Sequence, residues 1–345
     1  MKKVAFFDTK EYDRTWFGRL DKSFEIKFFK EKLSPENADL ANGFDGAVAF
    51  VNDTISGDVI RTLTEGGTKV LAMRCSGYNN INFKAAHDCG LTVLRVPVYS
   101  PYAVAEHAMA LLLTVNRKIH KAYNRTRDFN FSLRGLTGFD LNGKTVGVIG
   151  TGKIGRIFIK ICKGFGMKVL AYDPYPIDNP DFEYTTLDEI YRESDAISLH
   201  CPLTDDSHHL LGAEAFGRMK KNVIIINTSR GGLIDSEALL SALKERKIAG
   251  AGLDVYEEET ELFFEDHSQQ IVNDDILARI VSLPNVVLTS HQAFLTAEAL
   301  KNIAEITIGN LEDFFAGRTL KNVVCYDCAE GVPTTDCNKC NKDNP

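Results

Sequence analysis

At 345 residues the chain can build two domains with separate cores, and its 44% hydrophobic and 25% charged content is that of an ordinary soluble globular protein. A net charge of −7 argues against a nucleic-acid scaffold, and no run approaches the ~20 apolar residues of a membrane-spanning helix. The start carries two lysines but too short an apolar stretch for a secretory signal, so a cytoplasmic protein with no nucleic-acid or membrane partner is expected.

Short apolar runs at 4–7, 26–29, 47–51, 70–73 and 92–96 read as strands. The stretches between most of them fit helical crossovers, which implies a parallel sheet. Pro97, Ser100 and Pro101 break this pattern. A long helix is predicted over 103–123, with Ser100 as N-cap and Pro101 in its first turn. Basic residues Lys118, Lys121, Arg125 and Arg127 follow, read as a solvated face or an oligomer contact. From 144 the alternation restarts, with strands at 145–149, 168–172, 196–200, 223–227, 249–255 and 286–289. A last helix is predicted over 296–315. The fold class is therefore α/β: two Rossmann-like, doubly wound domains with parallel sheets and a cleft between them. One domain takes residues 1–100 and 297–324, the other residues 101–296, and residues 325–345 form a cysteine-rich tail.

The strand 145–149 runs into Gly150-Thr151-Gly152-Lys153-Ile154-Gly155, and a helix follows. That context turns a weak glycine motif into a dinucleotide cradle: the glycines allow the backbone to approach a pyrophosphate, which the helix N-terminus favours. Asp173, eighteen residues beyond Gly155, ends the next strand. Its carboxylate suits ribose hydroxyls and would repel a 2′-phosphate, so NAD is preferred over NADP. Arg230 follows strand 223–227 in Asn227-Thr228-Ser229-Arg230-Gly231-Gly232. A guanidinium there can bind a substrate carboxylate and polarise the adjacent carbonyl. His291 follows strand 286–289, and a carboxylate beside an imidazole makes an acid/base unit. The candidate carboxylates are Glu257, Glu258 and Glu259, and the residues alone do not choose among them.

These segments resemble the NAD-dependent D-2-hydroxyacid dehydrogenase family. Arg74-Cys75-Ser76-Gly77-Tyr78-Asn79-Asn80, Arg95-Val96-Pro97-Val98-Tyr99-Ser100-Pro101, Leu199-His200-Cys201-Pro202-Leu203-Thr204 and the stretch 290–300 carry the likeness with the loops above, across nearly all of 1–324. Leu262-Phe263-Phe264-Glu265-Asp266 is closest to the fermentative bacterial branch that interconverts pyruvate and D-lactate. The resemblance implies that Arg230 binds and polarises the substrate, that Glu259 is the catalytic carboxylate, and that His291 donates the proton. It implies a substrate seat at the N–H groups of Ser76 and Gly77, a pocket bounded by Tyr99 and Phe294, and a homodimer or larger symmetric assembly. For NAD it implies Gly150, Gly152, Lys153, Ile154 and Gly155 at the pyrophosphate, and Asp173 at the ribose. Cys201, Pro202 and Ser207 would lie along the dinucleotide, with Thr228, Ser229, Arg230 and Asp254 toward the nicotinamide. The alternatives are a related enzyme for a bulkier 2-oxo acid and an NAD(H)-sensing, co-repressor-like binding protein on the same fold.

The tail has no counterpart in the usual family ending. Cys325 and Cys328, then Cys337 and Cys340, form two C-x-x-C pairs separated by eight residues. Four thiolates at this spacing can hold a structural zinc, with reversible thiol–disulfide pairs or plain disorder as the alternatives. Cys75, Cys89, Cys162 and Cys201 are scattered singly and read as reduced thiols.

Overall fold

The computed structural model describes residues 1–20, 23–259 and 262–324; Cys325, Cys328, Cys337 and Cys340 lie outside them. The chain divides into two compact units, Met1–Ser100 with the chain from Leu295 onward, and Pro101–Phe294. The second crossing falls two residues ahead of the 296/297 boundary read from the sequence. Ala293 and Phe294 are still buried, and the Ala293 N–H is held by Asp254 of the second unit.

The first unit begins with β1 (Lys2–Phe6), α1 (Glu11–Leu20), β2 (Phe24–Phe28), β3 (Gly46–Ala49), α2 (Gly57–Glu65), β4 (Val70–Met73), α3 (Phe83–Asp88) and β5 (Thr92–Leu94). The sheet is parallel, in the order β2-β1-β3-β4-β5. Every side chain of β3 and β4 is buried, as expected of strands covered on both faces. Two strands stop short of their apolar runs for identifiable reasons. β3 ends because the Asp53 carboxylate accepts the Phe50 N–H at 2.5 Å and turns the chain. β5 ends where Leu94 bridges Val323 and Arg95 N–H donates to the Asn322 carbonyl, so the returning chain covers the sheet edge.

The second unit continues with α4 (Pro101–Arg117), α5 (Ile119–Arg127), β6 (Thr145–Ile149), α6 (Lys153–Gly164), β7 (Lys168–Tyr172), β8 (Glu183–Tyr184), α7 (Leu187–Glu193), β9 (Ala196–Leu199), α8 (Ala213–Arg218), β10 (Val223–Asn227), α9 (Ser236–Lys244), β11 (Ile248–Leu253), α10 (Asp275–Ser282) and β12 (Val286–Leu288). Then α11 (Ala297–Phe315), capped by Thr296, packs back in the first unit against α1 and β4. The seven parallel strands run β12-β11-β10-β9-β6-β7-β8, so the order reverses between β6 and β9. That switch point opens the crevice where such sheets take ligands, at the carboxyl ends of the strands. Both faces of the sheet are apolar. Along β10, Ile224 and Ile226 join the core beneath α4 and α6, while Val223 and Ile225 join the core beneath α8 and α9.

The single helix predicted over 103–123 is two. Lys118 adopts the left-handed conformation at φ 54°, and its Nζ donates to the carbonyls of Asn116 and Thr137. Glycines in β11 let α4 lie close: a Cβ on Gly252 would stand 2.9 Å from Leu111, and one on Gly250 would stand 2.9 Å from Val115. Among the described residues no helix is long and apolar enough to cross a membrane.

Candidate active site

The glycine loop leaves β6 on one side of the switch point, and Cys201 and Pro202 leave β9 on the other. Gly150 has φ 97°, and a Cβ there would collide with the His200–Cys201 peptide at 2.5–2.6 Å. A Cβ on Gly155 would meet the Gly150 carbonyl oxygen at 2.0 Å. Gly152 differs, because a Cβ would meet nothing within 4 Å. The N-terminus of α6 has no side-chain cap at Gly152, so its first N–H groups lack a capping oxygen. These features suit a pyrophosphate. Asp173 follows β7, and its carboxylate accepts from Thr151 N–H at 2.7 Å, Thr151 Oγ1 at 2.9 Å and Tyr175 N–H at 2.9 Å. It thus ties the glycine loop to the turn that follows β7.

His200 lies behind this loop, its ring against Phe158 and its Nε2 2.9 Å from Ser198 Oγ. Burial lowers its pKa to about 3, so the ring is neutral. Burial raises the Cys201 thiol to about 11, with Asp173 adding to the effect, which keeps it protonated and weakly nucleophilic. Ser207 closes the loop beyond it by donating to the Pro202 carbonyl at 2.8 Å. Thr228 is 8% exposed, and its buried Oγ1 has no partner among the described residues, an orphan that fits a polar group of a bound dinucleotide.

The loops after β10, β11 and β12 bring Arg230, Glu259 and His291 into one unit. Arg230 enters a short 3₁₀ turn, and Asn227 Nδ2 holds its carbonyl at 2.8 Å. Gly231 then packs on the peptide after β11, where a Cβ would stand 2.0 Å from both the carbonyl carbon and oxygen of Tyr256. That contact fixes the spacing between the Arg230 and glutamate loops. The three glutamates separate by environment. Glu257 meets His209 Nε2 at 2.5 Å and Ser236 Oγ at 2.9 Å, and Glu258 is exposed. Glu259 Oε1 meets His291 Nδ1 at 2.8 Å, and its Oε2 accepts the Tyr256 N–H at 3.0 Å.

A carboxylate only accepts, so His291 Nδ1 carries a proton and Nε2 is the nitrogen left to exchange one with a ligand. His291 has φ 52°, an unusual backbone held by Asp254. The His291 N–H donates to the Asp254 carbonyl at 2.6 Å, and the carboxylate accepts from Gln292 N–H at 2.9 Å and Ala293 N–H at 2.8 Å. Burial pushes the Asp254 carboxyl up, but His107, Thr289 and the Ala293 N–H outweigh it and hold the group below its ordinary range. His107 is a site residue that sequence reasoning missed. It comes from α4, with Nε2 3.1 Å from Thr289 Oγ1. The available signal was one imidazole in the otherwise apolar face of a helix read as a connector.

In the first unit, Ser76 and Gly77 follow β4. No acceptor among the described residues meets either N–H, which leaves two adjacent donors open. Ser76 Oγ donates to the Pro97 carbonyl at 3.3 Å, and the Tyr99 carbonyl accepts from Asn302 at 2.6 Å. Phe294, in the second unit, is 8% exposed.

Residues 109–293 match the model of the D-isomer specific 2-hydroxyacid dehydrogenase NAD binding domain. The chain is 50% identical over 325 residues to D-lactate dehydrogenase of Escherichia coli (strain K12), covering 93% of this chain and 99% of that one. The apo-structure of D-lactate dehydrogenase from E. coli superposes with a TM-score of 0.86 at 48% identity, over 93% and 99% of the two chains. The pyruvate reductase of Chlamydomonas reinhardtii superposes with a TM-score of 0.88 at 42% identity, over 93% and 98%.

Proposed function

Because the chain belongs to the NAD-dependent D-isomer specific 2-hydroxyacid dehydrogenase family, we propose that it interconverts pyruvate and D-lactate. The observation that carries this reading is the Glu259–His291 pair beside the Arg230 loop, on a chain half identical to an enzyme named for lactate. NADH bound along the glycine loop would supply the hydride for reduction, and NAD+ would accept it in the reverse direction. The Arg230 guanidinium binds the substrate carboxylate and draws electron density from the adjacent carbonyl. His291 delivers a proton from Nε2 to the developing alkoxide, while Glu259 orients the ring and supports its positive charge. Ser76 and Gly77 seat the carboxylate through their N–H groups, and Tyr99 and Phe294 limit the space around the methyl group. Gly150, Gly152, Lys153, Ile154 and Gly155 hold the pyrophosphate, and Asp173 the ribose. Cys201, Pro202 and Ser207 line the dinucleotide, with Thr228, Ser229, Arg230 and Asp254 toward the nicotinamide.

The protein is further proposed to be cytoplasmic and a homodimer. Supporting an assembly, the segment after Lys118 exposes Tyr123 at 59%, Phe129 at 84%, Phe131 at 70% and Leu133 at 81%. Cys325, Cys328, Cys337 and Cys340 are proposed as a Cys₄ zinc set on the strength of their spacing.

The test is NADH oxidation across a panel from pyruvate to 2-oxoisocaproate. Pyruvate should be preferred, and Arg230→Lys should lose most of kcat/KM by losing its bidentate fork. His291→Ala should bind NADH normally while reduction falls roughly 10²–10⁴-fold. Wild-type turnover by Arg230→Lys would sink the assignment. No turnover with any member of the panel would favour an NAD(H)-sensing binding protein.

A further inference from the structure

Arg74 and Asn80 stand at the two ends of the segment that holds Ser76 and Gly77. Among the described residues Arg74, 2% exposed, heads the largest buried side chains. Its guanidinium lies 4.0 Å from the centroid of the Phe50 ring and donates to the Asp8 carbonyl at 2.7 Å. It stands 3.6 Å from the Asp8 carboxylate and 3.5 Å from that of Asp13. At the other end, Asn80 Nδ2 donates to the carbonyls of Phe50 at 3.0 Å and Asp53 at 2.8 Å. Both ends therefore converge on the turn 50–53. That turn is itself tied down by the buried Asp53 carboxylate, which accepts from Leu33 N–H at 2.7 Å as well as from Phe50 N–H.

Stability alone does not account for this arrangement. A buried arginine with two carboxylates is often no more stable than apolar side chains of the same volume, whereas removing one partner is costly. The hub sits at the carboxyl ends of β1, β3 and β4, where the sheet order reverses and where open parallel sheets present loops to ligands. Between its anchors lie the two consecutive N–H groups that no acceptor among the described residues meets.

We propose that Arg74 and Asn80 are positioning residues that clamp the Cys75–Asn79 segment onto the turn 50–53 and so aim the Ser76 and Gly77 N–H groups at the carboxylate of the 2-oxo acid. The inference rests on the proposed reading of Ser76 and Gly77 as the carboxylate seat. Neither side chain touches substrate in this account. Each acts through the backbone it holds, and an ångström of drift at such a seat costs up to roughly 10²-fold in rate.

The test uses the full chain with Asn80→Ala, Asn80→Asp and Arg74→Lys. The measurements are steady-state kinetics with pyruvate, inhibition by the carboxylate-bearing analogue oxamate, the NADH dissociation constant and thermal unfolding. Asn80→Asp keeps the shape and removes both donors. Each Asn80 variant should raise KM for pyruvate and the oxamate inhibition constant together, by roughly 10- to 100-fold, with NADH affinity unchanged. Asn80→Gln should recover part of the loss by restoring the amide. If Arg74→Lys does not fold, the Asn80 variants decide alone. Unchanged KM and oxamate inhibition in both Asn80 variants, with an active wild type, would overturn the clamp and leave the proposed reaction standing. A parallel loss of NADH binding, pyruvate binding and thermal stability would also overturn it, as general damage to the fold. A wild type that reduces no 2-oxo acid overturns the underlying reading, and the clamp with it.

Discussion

Replacing Gly231 with alanine tests whether the spacing between the Arg230 and Glu259 loops matters as the geometry implies. The added Cβ would stand 2.0 Å from the carbonyl carbon and oxygen of Tyr256 and 2.4 Å from Glu257 N. All three are backbone atoms, so no rotamer change relieves the overlap. Ordinary contact begins near 3.4 Å, and the loops must therefore separate by more than an ångström. Overpacking of this kind costs about 1–3 kcal/mol of stability. The larger effect falls on catalysis, because the displacement moves Arg230 relative to the Glu259–His291 pair. A misplacement of about 1 Å costs about 10²-fold, or about 2.7 kcal/mol of transition-state stabilisation. The assay is NADH oxidation with pyruvate, alongside fluorescence titration of NADH and thermal unfolding. The Gly231→Ala protein should fold, bind NADH and lose roughly two decades in kcat/KM. A folded variant with wild-type kcat/KM would refute the argument that this backbone contact sets the site.

Asp173→Ala should raise KM for NADH and narrow the preference over NADPH, since the proposed ribose acceptor and the Thr151 tie vanish together; a KM ratio equal to wild type would count against that assignment. For His200 the folded pKa of about 3 lies below the ordinary 6.5, so the unfolded chain binds a proton that the native chain does not. Its contribution to stability is present above about pH 6.5 and is lost as pH falls toward 3, at about 1.4 kcal/mol per unit. Denaturant unfolding at pH 7.5 and 4.5 should therefore show wild type losing about 2–3 kcal/mol more than His200→Gln, and equal losses would contradict it. Elemental analysis should find one zinc per chain that disappears on removal of residues 325–345; a small fraction of one ion in the intact protein would end the zinc proposal.

Strand positions were legible where apolar runs met abrupt polar or glycine borders, as at 145–149 and 223–227. Ends were less legible where a side chain elsewhere stops the ladder. Nothing in the run 47–51 announces that Asp53 will capture the Phe50 N–H. Lys118 is hard to read for a similar reason, because its left-handed turn is held by the carbonyl of Thr137, far along the chain. The two-residue β8 is too short to show a period. Within the site, the glycine loop, Arg230 and His291 announced themselves by following strands. The choice of Glu259 over its two neighbours depends on which loop each oxygen reaches, and three adjacent identical residues carry no local sign of that. His107 and Gly231 matter through partners from other elements, so composition and spacing near them are silent.

The two glycines of β11 have a reach beyond the strand that contains them. By leaving out side chains at 250 and 252 they let α4 settle against the sheet, and α4 is the element that carries His107 to Thr289 and Asp254. Asp254 in turn shapes the backbone on which His291 sits. The missing side chains act as a spacer of set thickness, and the depth to which the helix sinks is passed on to His291, the proposed proton donor, beyond the far end of the strand. A methyl group added at the middle of a buried strand would thus be felt as detuned acid/base chemistry, with no ligand contact altered directly.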